Sequence, residues 1–282
     1  MATVLKGAPV AELINTNTSK AAEDLKSRGI SPTLAIVRIG ANDGDLSYER
    51  GAIKRASAVG ASVVSVAFPA DVTAEEYYAK LDELNADPAI HGILLLRPVP
   101  AEIGDEKARN YITPAKDVDG CSDASLAGIF AGTKTGFAPC TAQAAMEILH
   151  FYDIDPCGKR AAIFGRSLVV GRPLAMMLMN ENATPTICHT KTPDAAAICR
   201  SSDIVIAAIG KAYKIGAEYA APGQTIIDVG INWDEEKGKL CGDVDYDAVA
   251  DTVSAITPVP GGVGAVTTAV LMNHVVEAAA KS

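Results

Sequence analysis

The stretch GKRAAIFGRSLVVGRPLAMML (158–178) holds the residue types best suited to gripping a phosphate. An apolar run ends at Gly165, and Gly171 follows six positions later at the head of a helical pattern. Glycine at a strand exit permits a tight turn, and a second at a helix start lets a phosphate approach backbone N–H groups at the positive end of the dipole. Arg166 adds a cation, and Pro173 suits the first helical turn. The spacing is not G-x-G-x-x-G, so turn chemistry alone stays open as an alternative. The next apolar run ends Cys188–His189–Thr190–Lys191. A site for the ribose hydroxyls of NAD places Asp or Glu there. No carboxylate stands at that end to repel a 2′-phosphate, and Arg166, Thr190 and Lys191 can bind one. A dinucleotide site of this kind favours NADP over NAD, with solvated surface charge the alternative for Lys191.

Such a loop needs a strand before it and a helix after it, and the chain supplies both repeatedly. Apolar, β-branched runs recur at TLAIVRIG (33–40), SVVSVAFP (62–69), GILLLRPVP (92–100), RAAIFG (160–165), TPTICHT (184–190), DIVIAAIG (203–210) and TIIDVG (225–230), with helical-period segments between them. Buried runs without clean polar alternation point to parallel sheets covered on both faces. The expected class is therefore α/β. A seam is expected at Phe137–Thr141, where FAPCT precedes the helical AQAAMEILHFY. From about Gly158 the pattern strand, loop, helix, strand, helix, strand reads as a nucleotide-binding half-fold. The final TTAVLMNHVVEAAAKS is helical and is expected to pack back on the first domain. The division is thus 1–140, with helix 267–282 returning to it, and 141–266.

At 282 residues the chain is long enough for two domains, and its 49% apolar and 21% charged residues are ordinary for a globular protein. A net charge of -9 argues against nucleic acid and anionic membrane surfaces, which attract clustered Lys and Arg. MATVLKGAPV lacks the pattern of a signal peptide, and no run approaches the roughly 18 apolar residues that span a bilayer, so the expected location is cytoplasmic. The 6 cysteines have no C-x-x-C pair and no histidine at zinc-finger spacing, so reduced thiols and no metal are expected. His91, His150 and His274 lie in apolar or helical contexts, which favours packed or surface histidines over a catalytic pair for some unrelated hydroxy-acid or amino-acid dehydrogenase.

KDVDG (116–120), PCT (139–141), GRSLVVGRP (165–173), CHTKT (188–192), DVGIN (228–232), GDVD (242–245) and ITPVPGGVGAVTTAVL (256–271) together resemble the bifunctional methylenetetrahydrofolate dehydrogenase/cyclohydrolase family over nearly the whole chain. The resemblance implies two domains flanking a cleft, a Rossmann-type C-terminal domain that presents a nicotinamide cofactor, a tetrahydrofolate substrate and a homodimer. By matching position, Asp119 hydrogen-bonds the pterin, Tyr48 stacks on the aminobenzoyl ring, and Gly262, Val263 and Gly264 pack near the pterin. Thr141, Gly165, Arg166, Ser167, Gly171, His189, Thr190 and Lys191 belong to the cofactor site, with Ile231 at the nicotinamide. The chemistry suits the residue types: a loop carboxylate accepts two N–H donors from a 2-aminopyrimidinone ring, although capping a turn is the plainer role for such an Asp. Pro258, Pro260, Gly261, Gly262 and Gly264 make a loop whose backbone can approach a flat ligand.

The chain departs from this family where proton transfer is concerned. Members with both activities carry Y-x-x-x-K, yet the fourth residue after Tyr48 is Ala52. Lys54 lies six positions on, about 240° around a regular helix, whereas four positions give about 40°. Arg55 returns to Tyr48's face about 10 Å further along the axis. The family's strand-end Gln is Leu96, beside Arg97, and the Pro of its PGGVGP loop is Ala265. Hydride transfer chiefly demands closeness and orientation, whereas hydrolysis of the methenyl product needs an activated water and proton transfer. The sequence therefore predicts a dehydrogenase whose cyclohydrolase activity is weak, absent or carried by Arg97, Arg50 or Lys54. The alternatives are a fully bifunctional enzyme using substitute residues and a catalytically silent folate- and NADP-binding protein.

Overall fold

The computed structural model describes residues 2–282. The strands are β1 (Thr3–Val4), β2 (Thr33–Ile39), β3 (Ser62–Phe68), β4 (Gly92–Leu95), β5 (Arg160–Phe164), β6 (Thr184–Cys188), β7 (Ile204–Ala207), β8 (Thr225–Asp228), β9 (Asn232–Asp234), β10 (Lys239–Cys241) and β11 (Ala255–Ile256). The helices are α1 (Gly7–Ser27), α2 (Asp43–Val59), α3 (Ala74–Ala86), α4 (Asp105–Tyr111), α5 (Asp123–Ala131), α6 (Cys140–Phe151), α7 (Gly171–Asn180), α8 (Ala195–Arg200), α9 (Tyr246–Val249) and α10 (Val263–Lys281). Each apolar run picked out in the sequence forms a strand. The chain divides into two compact units: Leu13–Cys140 with Thr268–Ser282, and the residues up to Glu12 with Thr141–Thr267.

In the first of these, β2, β3 and β4 form a parallel sheet in the order β3-β2-β4. Tyr77, Leu81 and Leu84 of α3 pack with Val37, Ile93 and Leu95 in its core. Helix α2 opens at Asn42, whose side chain accepts from the Asp45 N–H, and closes at Gly60 in the left-handed conformation. Helix α3 opens with a Thr73/Glu76 capping box.

In the second unit a six-stranded sheet runs β1-β11-β8-β7-β5-β6, every pair parallel. β7 and β8 are buried throughout, which explains their unbroken apolar character. The chain steps from β5 outward to β6, then crosses to the opposite side of β5 for β7. That reversal is the switch point at which open α/β sheets bind ligands, outside the carboxyl ends of their strands.

Four features depart from the sequence reading. The short β1 joins the sheet edge, and β9 and β10 form an antiparallel hairpin, neither of which the apolar pattern marks. Helix α10 begins at Val263, so Val263 and Gly264, expected in a loop, belong to its first turn. Against the expectation that no run nears membrane-spanning length, α10 is long and apolar enough by composition, with mean hydropathy 1.3, but 61% of that window is buried, as in a core helix.

Candidate functional site

In the three-stranded unit the interesting side chains gather at the carboxyl edge of the sheet. Tyr48 comes from α2, which follows β2, and Arg97 comes from the turn after β4. Asp119 stands in the Asp117–Cys121 loop, and that loop is tied down by its own neighbour. Asp117 is fully buried and accepts from the N–H groups of Cys121 (3.0 Å) and Ser122 (2.8 Å) and from Ser125 Oγ (2.6 Å). The first Asp of KDVDG thus builds the loop and the second is presented by it. Asp117 was not picked out in the sequence, because its role depends on amides that only the folded loop brings to it.

Asp119 is half-exposed by surface area, yet protein crowds its carboxyl group on most sides. Burial, reinforced by the negative charge of Asp117, pushes its pKa up to about 7, against the opposing effects of a Cys140 thiol hydrogen bond and the Arg97 charge. Tyr48 leaves 40% of its area exposed, but burial of its hydroxyl and the charge of Asp119 raise its pKa. Arg97 donates from Nε to Asp105 Oδ1 (2.8 Å), and its second nitrogen meets Asp105 Oδ2. This fork holds the Asp105 carboxyl below its ordinary range and keeps Arg97 a fixed cation. Tyr48, Asp119 and Arg97 therefore form one electrostatic group.

Arg50 and Lys54 do not join them. Helix α2 is helical throughout Asp43–Val59, Gly51 included, so the six-residue offset keeps its angular meaning. Ala52 is 1% exposed, whereas Arg50 and Lys54 are exposed. Arg55 is half-buried, and its charge acts on Tyr48, as the seven-residue spacing predicted. Leu96 is half-buried beside β2, its N–H donating to Val37 O (2.8 Å).

In the six-stranded unit, Gly165 closes β5 with φ +124°, and a Cβ there would lie 2.1 Å from the Ala208 carbonyl oxygen, at the end of β7. A Cβ on Gly171 would in turn lie 2.1 Å from Gly165 O. Both glycines are thus required by close approach across the switch point. Between them Arg166 and Ser167 are exposed, and Ser167 Oγ accepts from the Val170 N–H (3.1 Å). Because β6 lies beside β5 in parallel, Phe164 opposite Cys188, the turn after β6 emerges at the same edge. There Thr190 and Lys191 are exposed, and His189 Nδ1 accepts from the Lys191 N–H (3.1 Å). The arrangement offers hydroxyls and cations and no carboxylate at the end of β6, which fits a 2′-phosphate. Thr141 is half-buried in the first turn of α6.

The same edge carries Ile231, 61% exposed, and a depression of about 270 Å³ lined by Val229–Ile231 and Pro258–Ala265, so Ile231, Gly262, Val263 and Gly264 are neighbours. Two buried carboxylates fix the loops here. Asp228 accepts from the N–H groups of Gly230, Asp243 and Val244 at 2.9, 3.1 and 2.9 Å. Asp243 accepts from Gly210 and Lys211 N–H, both at 2.9 Å, and from Asn232 Nδ2 at 2.9 Å. The DVGIN and GDVD segments are therefore two halves of one polar clamp. Burial outweighs the three amide donors at Asp228 and pushes its pKa up to about 7. The remaining histidines have ordinary structural partners: His91 Nδ1 accepts from Thr33 N–H (3.2 Å), and His150 pairs with Glu181 (2.8 Å).

Comparison with known proteins agrees with this geometry. Residues 5–119 match the model for the tetrahydrofolate dehydrogenase/cyclohydrolase catalytic domain, and residues 139–282 match the model for its NAD(P)-binding domain. The bifunctional protein FolD of Carboxydothermus hydrogenoformans is 47% identical over 99% of this chain and 97% of its own. The crystal structure of the bifunctional FolD dehydrogenase/cyclohydrolase from Campylobacter jejuni superposes with a TM-score of 0.96 at 36% identity, covering 100% of this chain and 99% of that one. A Trypanosoma brucei dehydrogenase-cyclohydrolase complexed with NADP and an inhibitor gives 0.91 at 34% identity, covering 99% and 98%.

Proposed function

The chain belongs to the tetrahydrofolate dehydrogenase/cyclohydrolase family and is a methylenetetrahydrofolate dehydrogenase with an NAD(P)-binding domain, and from that premise we propose that it has kept the dehydrogenase step with NADP and lost the cyclohydrolase step. The observation that carries the proposal is the unbroken α2 helix, with Ala52 buried where a lysine would face Tyr48 and Lys54 turned to solvent.

Oxidation removes a hydride from the bridging methylene, and the positive charge that forms is delocalised over N5 and N10 of the folate. NADP, when bound, supplies the hydride acceptor. The chain's part is to hold and orient. Asp119, when ionised, accepts two N–H donors of the pterin, Tyr48 stacks on the aminobenzoyl ring, and Gly262–Gly264 pack beside the substrate. On the nucleotide, Gly165 and Gly171 admit the phosphates, Arg166, Ser167, Thr190 and Lys191 hold charge, with Thr141 and His189 alongside, and Ile231 meets the nicotinamide. None of these roles requires a proton to leave a side chain.

Hydrolysis of the methenyl product does require proton movement, and the residues at hand are poorly suited to it. Arg97 stays protonated and is held by Asp105, so it stabilises negative charge rather than shuttling protons. The names of the relatives favour a second reading, full bifunctionality through substitute residues. A homodimer and a cytoplasmic location complete the proposal.

Mixing the protein with methylenetetrahydrofolate and either nucleotide tests the cofactor assignment. Reduced nicotinamide is expected to form with NADP at a kcat/KM about tenfold or more above that with NAD, the value of one charge-assisted contact to the 2′-phosphate. Equal use of both, or preference for NAD, would remove that role from Arg166, Thr190 and Lys191. No turnover with either, despite folate binding, would mark a silent binding protein.

A further inference from the structure

His274 takes no part in the chemistry above, yet its ring is built into the loop that presents Asp119. It is 6% exposed on α10, beside the Phe137 ring at a centroid distance of 4.9 Å. Its Nδ1 lies 2.9 Å from the carbonyl oxygen of Val118, and a carbonyl oxygen only accepts, so Nδ1 carries the hydrogen. A peptide unit is planar, with its C=O and the next N–H pointing opposite ways. Holding the Val118 carbonyl therefore sets the plane from which the Asp119 backbone departs.

The second consequence runs through Cys140, which is 2% exposed. Its sulfur lies 3.3 Å from the same Val118 carbonyl and 3.7 Å from His274 Nδ1, and its backbone N–H donates to Asp119 O at 3.4 Å. A thiol has one hydrogen. The Cys140 thiol can donate either to the Val118 carbonyl or to the Asp119 carboxylate, and the His274 N–H, by occupying one lone pair of that carbonyl, favours donation to Asp119, a hydrogen bond that stabilises the ionised acid. Removing the histidine donor would draw the thiol hydrogen back to the carbonyl and leave Asp119 without it.

We propose that His274 is a positioning residue for folate binding, which acts through the Val118 carbonyl and the Cys140 thiol to keep Asp119 oriented and supplied with a hydrogen-bond donor. This rests on the reading of Asp119 as the pterin-binding carboxylate. The groups that face Asp119 are Asp117 and Cys121 of its own loop, Tyr48 of α2, Arg97 after β4 and Cys140 of α6. A change at His274 leaves all of these residues in place and redirects only the Cys140 thiol hydrogen.

The test compares two amides that differ only in reach. In His274→Asn the side-chain nitrogen falls where Nδ1 stood, whereas in His274→Gln it falls near the Nε2 position and misses the Val118 carbonyl. The affinity of the intact protein for tetrahydrofolate is measured from pH 5 to 9, with Asp119→Asn as reference. His274→Asn is expected to keep the wild-type profile. His274→Gln is expected to move the acid limb to higher pH and weaken binding near pH 7 by about tenfold, the value of one hydrogen bond to a charged group, with kcat at saturation little changed. Identical profiles for the two variants, whatever their thermal stability, would overturn the inference. If Asp119→Asn itself leaves affinity and its pH dependence unchanged, the assignment of Asp119 falls and the inference with it. A clear Asp119→Asn effect beside indistinguishable Asn and Gln profiles refutes the His274 role alone.

Discussion

Asp119→Ala is expected to lower kcat/KM for methylenetetrahydrofolate by about a hundredfold, within the range set by losing one partner of a buried, charge-assisted pair, roughly 2–5 kcal/mol at 1.4 kcal/mol per decade. The wild-type enzyme is expected to carry a related signature in its pH dependence. In the proposed role only the ionised carboxylate would accept both pterin N–H groups, and its pKa is pushed up to about 7 by burial and by Asp117. Activity at low substrate therefore falls as pH drops through about 7 and levels off above it, and Asp119→Asn removes that limb. Initial rates of the wild type and both variants across this range check the expectation. An alanine variant with wild-type kcat/KM would show that the pterin is held elsewhere. The same shift has a stability cost of definite sign. Between the unfolded carboxyl's pKa of about 3.9 and the folded value of about 7, the folded state retains a proton that the unfolded state has released, so stability declines with rising pH across that window. Asp119→Asn is therefore more stable than wild type above the window while binding folate poorly.

Gly165→Ala is the second large effect, and it acts on the fold as well as the nucleotide. The new Cβ would sit 2.1 Å from the Ala208 carbonyl oxygen, and φ +124° is strained for any L side chain. Backbone crowds the site, so relief requires β5 and β7 to part at their carboxyl ends. Overpacking typically costs 1–3 kcal/mol and an incompatible φ adds about 1 or more, for a total of about 3 kcal/mol. Thermal unfolding should show the loss, and NADP binding should weaken in whatever folded protein remains, because the switch-point turn is displaced. An alanine variant with unchanged melting temperature and unchanged nucleotide affinity would mean that the close approach is not needed.

The strands of both sheets were legible because a parallel sheet covered on both faces writes itself as β-branched apolar runs. The Gly165 and Gly171 turn was legible for the same local reason, since a strand exit and a helix start bracket it. The elements that escaped are those whose stability is supplied from elsewhere. β1 is two residues held by β11, and the β9–β10 hairpin pairs three residues with three. Asp117, Asp228 and Asp243 look like any loop aspartates until the fold brings backbone amides to their carboxylates. The start of α10 was missed because Gly264 argues locally for a loop, whereas burial of Val263, Val266 and Val270 draws it into a helix. His274 had no visible role, since the atom it holds is a backbone carbonyl 156 residues away. By contrast, the angular offset of Lys54 from Tyr48 was legible from helical periodicity, because α2 is unbroken from Asp43 to Val59, whereas the meaning given to Ala52 rests on the family resemblance.

In the proposed function the enzyme keeps one step of a two-step sequence and lacks the other. The most direct measurement follows reduced NADP and methenyltetrahydrofolate together while the enzyme oxidises methylenetetrahydrofolate. Methenyltetrahydrofolate is expected to accumulate mole for mole with reduced NADP, apart from the hydrolysis that buffer alone produces. Methenyltetrahydrofolate held far below the reduced NADP, with formyltetrahydrofolate making up the difference at a rate set by enzyme concentration, would contradict it.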